Sequence, residues 1–136
     1  MAETPQRREQ FAEGVLRFLV YFGFDGFDLD WEYPTKRDGL PEDRENFSEL
    51  IKVLYKKLRR RNRMLTTAIA ASVAVIKEAY NIAEMCQNID YVNIMGYDMQ
   101  NMNETSAHAP LRKEMHEGAT RETLVCLEEV FVVTEF

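Results

Sequence analysis

A chain of 136 residues, 46% apolar and 29% charged, has the size and composition of one soluble globular domain with its own core. Its net charge of −6 argues against a nucleic-acid partner, which would need a basic face. No run of about 18 apolar residues is present, so no membrane partner or span is expected, and the opening Met1–Arg8 lacks the apolar stretch of a signal peptide. Cys86 and Cys126 have neither metal-ligand spacing nor a disulfide framework around them and are expected as buried free thiols, with no metal and no cofactor.

Thr4 and Pro5 form an N-cap and first-turn pair. Phe11, Val15, Phe18, Leu19 and Phe22 then recur at three- and four-residue steps, which predicts an amphipathic helix ended by Gly23. A strand is predicted from Gly26 to Glu32, stopped by Pro34, and Lys36 to Leu40 form a polar loop. Pro41 and Asp43 open the next helix, with Phe47, Leu50, Ile51, Leu54 and Leu58 on one stripe. Its end carries Lys56, Lys57, Arg59, Arg60, Arg61 and Arg63; cations at a helix C-terminus complement the macrodipole, and this reading is preferred to a basic patch for nucleic acid. Met64 to Ala70 read as a second strand with small residues on it, Val75–Tyr80 and Ile82–Gln87 as short helical pieces broken at Asn81, and Tyr91 to Tyr97 as a third strand. The alternation of helix and strand is that of parallel βαβ units. Beyond Asp98, Met99 to Ser106 read as a polar loop, and Lys113 to Val125 as a helix and the start of a further strand.

The most informative run lies on the first strand. Asp28, Asp30 and Glu32 stand two residues apart, so an extended backbone puts all three on one face, each about 6.5 Å from the next. Phe27, Leu29 and Trp31 alternate with them and call for burial on the other face. Three acids in line oppose one another's ionisation, so stability alone gives no reason for them. A solvated strand face would carry mixed polar residues. A calcium loop would need a glycine at its sixth position, where Tyr33 stands. A carboxyl held protonated beside one held ionised is instead how a glycosidase makes its general acid. Asp25, of opposite parity and ahead of Gly26, is expected in a turn.

The run Asp25-Gly26-Phe27-Asp28-Leu29-Asp30-Trp31-Glu32-Tyr33-Pro34 resembles the signature of the family-18 glycoside hydrolases, the chitinase family. Asp90-Tyr91-Val92-Asn93-Ile94-Met95-Gly96-Tyr97-Asp98 resembles that family's sixth barrel strand, and Leu65-Thr66-Thr67-Ala68-Ile69-Ala70 its fifth. His108-Ala109-Pro110-Leu111 resembles the segment after the sixth strand, and Arg8 to Phe22 the helix before the fourth. The resemblance implies an α/β fold, a partial (β/α)8 TIM barrel of about strands four to six or seven. Residues 1–136 are read as a fragment of one chitinase-type catalytic domain, with 7–125 resembling the family and 126–136 unassigned. A full barrel takes about 250 residues, so this chain has room for about half of one.

The resemblance also implies chemistry: hydrolysis of β-1,4 N-acetylglucosamine linkages with retention, the sugar's own acetamido group serving as nucleophile. Glu32 would be the general acid and then the base. Asp30 would orient the acetamide, and Asp28 would share a proton with Asp30, since two close carboxylates cannot both ionise cheaply. Tyr97 would donate its hydroxyl to the acetamide oxygen, while Tyr33, Met95 and Asp98 would contact the sugar. The partner would be chitin or a chitooligosaccharide, and the full-length family is expected outside the cell. The family's first three strands and its eighth, with the tryptophan that floors the sugar site, have no counterpart here. Three readings remain open: a chitinase catalytic domain, a truncated product inactive by itself and prone to self-association through open sheet edges, and a non-catalytic chitinase-like lectin. The retained Glu32 weighs against the last.

Overall fold

The computed structural model describes residues 1–98 and Ala109, and all structural statements concern these. Helix α1 covers Pro5–Phe22, strand β1 Gly26–Asp30, helix α2 Asp43–Arg59, strand β2 Met64–Ala70, helix α3 Val73–Ala79 and helix α4 Ile82–Met85. A 3-10 turn at Cys86–Asn88 leads into strand β3, Tyr91–Met95. The strands form one parallel sheet in the order β1-β2-β3, each connection being helical.

Both ends of α1 follow from its sequence. The Thr4 hydroxyl accepts the Arg7 N–H at 3.2 Å, and Gly23 closes the helix at φ 73°, where a side chain would be strained. Arg8, only 8% exposed, ties this helix to its surroundings by donating to the Ala2 carbonyl (2.6 Å) and to Asn46 of α2 (3.3 Å). The apolar stripe predicted for α1 divides. Val15 and Leu19 are buried, whereas Phe18 and Phe22 are exposed and cluster with Phe24 instead. The reason is lateral: α1 covers α2 and β1, and no described element lies beyond it.

In α2 the stripe is buried throughout. Phe47, Leu50, Ile51, Leu54 and Leu58 are at most 1% exposed, each contributing roughly 1.5–3 kcal/mol by removal from water. They meet Leu29 of β1 and Leu65 and Ile69 of β2 in one cluster closed by Ile76, Tyr80 and Met85. Trp31 packs on Phe47, with ring centroids 6.0 Å apart, as expected of an apolar-face residue. Thr67 is the polar member of that buried face, and its hydroxyl donates to the Leu29 carbonyl at 2.5 Å.

The cations at the end of α2 do more than complement a dipole. Lys57 pairs with Glu9 and Glu13 of α1, both at 3.0 Å, Arg59 with Asp90 at 3.3 Å, and Arg63 with Asp25 at 3.4 Å. Strand register is set at the same end. Gly26 pairs with Met64 so closely that a β-carbon on it would lie 2.6 Å from the Met64 carbonyl oxygen. The Asp90 carboxylate accepts the Leu65 N–H at 2.8 Å, fixing where β3 begins beside β2.

Several boundaries differ from expectation. β1 ends at Asp30, not Glu32, and β3 at Met95, not Tyr97, because pairing with β2 runs out at Ala68 and Ala70. α3 starts two residues early, at Val73, following Ser72. Cys86 is a half-buried free thiol whose pKa burial raises. Cys126, the polar loop from Met99, the Lys113–Val125 segment and the 126–136 tail lie outside the described residues.

Candidate active site

Parallel pairing places side chains of aligned residues on the same side of the sheet, so one face can be read across it. One row runs Asp28, Thr66, Tyr91 and the next Asp30, Ala68, Asn93. Ala70 and Met95 follow toward the C-terminal ends. Asp28 and Asp30 are exposed on this face, while Leu29 between them is 3% exposed against the helices. The alternation anticipated for the acidic strand therefore holds for Asp28 and Asp30, with carboxylates away from the helical layer.

Glu32 stands past the end of β1 with its side chain 40% exposed. The Glu32–Tyr33 peptide bond is cis. The loop that follows brings Arg37 back: its guanidinium lies 3.7 Å from the Glu32 carboxylate and 6.0 Å from the centre of the Tyr33 ring. Tyr33 is half-buried, and its phenol is pushed above the usual range, first by burial and then by the Glu32 charge, with Arg37 opposing. The charges of Asp30 and the nearby Tyr97 act on Tyr33 in the same upward sense. Glu32, Tyr33, Asp30 and Tyr97 thus belong to one neighbourhood at the C-terminal ends of β1 and β3. Asp98 follows Tyr97 with φ 58°, and Met95 ends β3 on the face that carries the acids.

Asp28 is held by neutral donors from the other two strands, β2 beside it and β3 beyond. The Thr66 hydroxyl donates to its Oδ1 at 2.5 Å, and the Asn93 side-chain amide to the same oxygen at 3.4 Å. Among the described residues no hydrogen bond or ion pair is made by the Asp30 carboxylate. Behind the site, Tyr80 is 1% exposed, stacked edge-on against Phe47. Burial raises the pKa of its phenol well above the ordinary range; the Ala70 backbone opposes this, and the charges of Tyr33, Asp30 and Glu32 add to it.

Sequence reasoning named none of Thr66, Asn93, Arg37 and Tyr80 as site residues. Thr66 and Asn93 could have been found by parity, since they share a face with Ala68 and Met95 on strands predicted at nearly the observed positions. Arg37 and Tyr80 had no such signal, because a loop and a short helix deliver them.

One further acidic group lies elsewhere. Glu45, Glu49 and Glu84 bring carboxylate oxygens within 4.8 Å of one another. Lys52 sits among them, bonded to Glu49 at 2.7 Å and also to Glu84, so a cation already bridges two of the three carboxylates. No described helix is long and apolar enough to cross a membrane.

Comparison with known proteins places these observations. The catalytic domain 2 of a Group II chitinase from Ostrinia furnacalis superposes with a TM-score of 0.84 at 30% identity, covering 99% of this chain and 37% of that one. A mutant of the same domain in complex with penta-N-acetylchitooctaose, (NAG)5, gives a TM-score of 0.83 at 29% identity, with the same coverage of 99% and 37%. The probable chitinase 2 of Drosophila melanogaster is 47% identical over 91 residues, which is 67% of this chain and 19% of that protein. The chain thus spans about a fifth of the length of this relative. Its parallel sheet and helices are a section of the TIM barrel of these catalytic domains. The family model for glycosyl hydrolases family 18 matches residues 1–129, so the chain belongs to that family.

Proposed function

We propose that this chain carries the acid–base centre of a chitin hydrolase that cleaves β-1,4 N-acetylglucosamine linkages with retention. The observation that supports this best is the acidic row itself. Asp28 and Asp30 project from the sheet face that the helices leave open, and Glu32 stands at the strand's C-terminal end, where barrel active sites sit. In this reading Glu32 protonates the departing glycosidic oxygen while the acetamido carbonyl of the bound sugar attacks the anomeric carbon. An oxazolinium ion forms and the leaving sugar departs with the proton. The Glu32 carboxylate then takes a proton from water as that water attacks the anomeric carbon, which reopens the ring with retention and restores the acid.

Asp30 orients the acetamide N–H and balances the developing positive charge, and Asp28 shares a proton with Asp30. Tyr97 donates to the acetamide oxygen. Tyr33, Met95 and Asp98 line the sugar site. The substrate is chitin or a chitooligosaccharide, as for the related domain solved with (NAG)5, and the full-length protein acts outside the cell. Hydrolysis of a fluorogenic chitooligosaccharide by the parent and by Glu32→Gln tests this. Turnover abolished by the substitution supports the assignment, and turnover that survives it removes Glu32 from the mechanism.

A second expectation concerns assembly. Among the described residues the outer edges of β1 and β3 pair with no strand, and open edges template association. Phe18, Phe22 and Phe24 add an exposed aromatic cluster beside the β1 edge. Self-association through these edges predicts a mass above that of the monomer in light scattering coupled to gel filtration. A monodisperse monomer across a wide concentration range would refute it.

A further inference from the structure

We propose that Thr66 and Asn93 are positioning residues that hold Asp28 in the orientation from which it exchanges a proton with Asp30. The inference rests on the reading of Asp28, Asp30 and Glu32 as the catalytic row, and it deepens that reading by naming what sets the row's far end. The two donors come from different strands. Thr66 aligns directly with Asp28 across β1 and β2, and its hydroxyl donates to Oδ1. Asn93 belongs to the next row, opposite Ala68, and reaches diagonally back to the same oxygen. The methyl group of Ala68 is all that separates the Asp30 and Asn93 positions in that row, so the amide has room to cross.

Two neutral donors on one oxygen have a defined effect. They fix the Asp28 carboxylate without introducing a cation that would compete for Asp30 or Glu32. They also occupy Oδ1, leaving Oδ2 as the oxygen on which a proton shared with Asp30 would reside. An arginine in this place would fix the carboxylate too, but its charge would draw protons off the whole row. Hydroxyl and amide donors orient Asp28 and leave the proton in circulation. The register of three strands creates this arrangement, for Asp28 is 38 residues from Thr66 and 65 from Asn93.

The decisive variants are Thr66→Val, which keeps the shape and removes the hydroxyl, and Thr66→Ser, which restores it. In the chain itself, the carbon-13 carboxyl resonance of Asp28, assigned with Asp28→Asn, should move in Thr66→Val and return in Thr66→Ser. Asn93→Ala should displace it less, in keeping with its longer bond. In turnover of a chitooligosaccharide, Thr66→Val should lower kcat about ten-fold with KM nearly unchanged, the loss of one hydrogen bond to a charged group. A resonance unmoved in a Thr66→Val variant that melts like the parent would overturn the proposal. So would a displacement that Thr66→Ser fails to reverse. The catalytic reading fails separately: if Glu32→Gln keeps the parent's turnover, the row is not the acid–base centre, whatever the resonance does.

Discussion

The two ends of this small sheet use acidic residues in opposite ways. At the N-terminal ends of the strands, Asp25 faces Arg63 and Asp90 faces Arg59, and Asp90 also accepts the Leu65 N–H. Both carboxylates are paired, and Asp90 anchors register through its backbone bond. Along the open face and at the C-terminal ends, Asp28 is held, among the described residues, by a hydroxyl and an amide, and Glu32 is approached by an exposed arginine at 3.7 Å. A carboxylate tied to a cation and a backbone donor holds structure together; those with neutral or exposed partners are left open to a substrate. The same residue type serves anchoring at one end and is proposed for proton transfer at the other.

This contrast can be tested by trying to make the two ends trade behaviour. The largest expected effect is at the catalytic end. Glu32→Gln should cut kcat/KM for a chitooligosaccharide by about 10²–10⁴-fold, the usual contribution of a general acid. Its thermal midpoint should scarcely change, since the ion pair it loses with Arg37 is a surface one worth roughly 0–1 kcal/mol. Asp90→Ala should do the reverse. It strands the Leu65 N–H in a partly buried place and should destabilise by about 1–3 kcal/mol in urea unfolding, with any residual turnover keeping the parental pH profile. An Asp90→Ala variant of parental stability would break the comparison.

The smallest effect is a pH dependence contributed by Tyr80, between core and site. Its folded-state pKa is raised above the ordinary 10.0, so the stability that neutral Tyr80 contributes is complete below pH 10 and is lost as pH rises through the folded value. The urea midpoint should therefore fall as pH rises above about 10, and fall less steeply in Tyr80→Phe. Equal slopes would mean that the phenol does not report on folding.

Much of the architecture was legible because it depends on local pattern. Thr4, Pro5 and Gly23 bound α1 as their capping chemistry requires, and Met64–Ala70 is a strand from end to end. The burial of Leu29 between Asp28 and Asp30 follows from alternation. Expectation and structure part where a boundary depends on a partner. β1 stops at Asp30, leaving β2 there although β2 itself runs on to Ala70 beside β3, which puts Glu32 past the strand. Phe18 and Phe22 looked like core by spacing and are exposed, since helical periodicity identifies an apolar stripe without saying how much of it a neighbour covers.

By itself, then, the order of residues determined that three acids fall at alternate positions beside apolar neighbours, that helices alternate with strands, and that the family signature is present. Tertiary structure alone decided that Thr66 and Asn93 meet on one oxygen of Asp28, that Arg37 turns back onto Glu32, and that Tyr80 stands behind the acids. Periodicity is a property of a few neighbouring residues and can be counted along a chain. Contacts between strands and loops dozens of residues apart exist only once register and packing have been chosen.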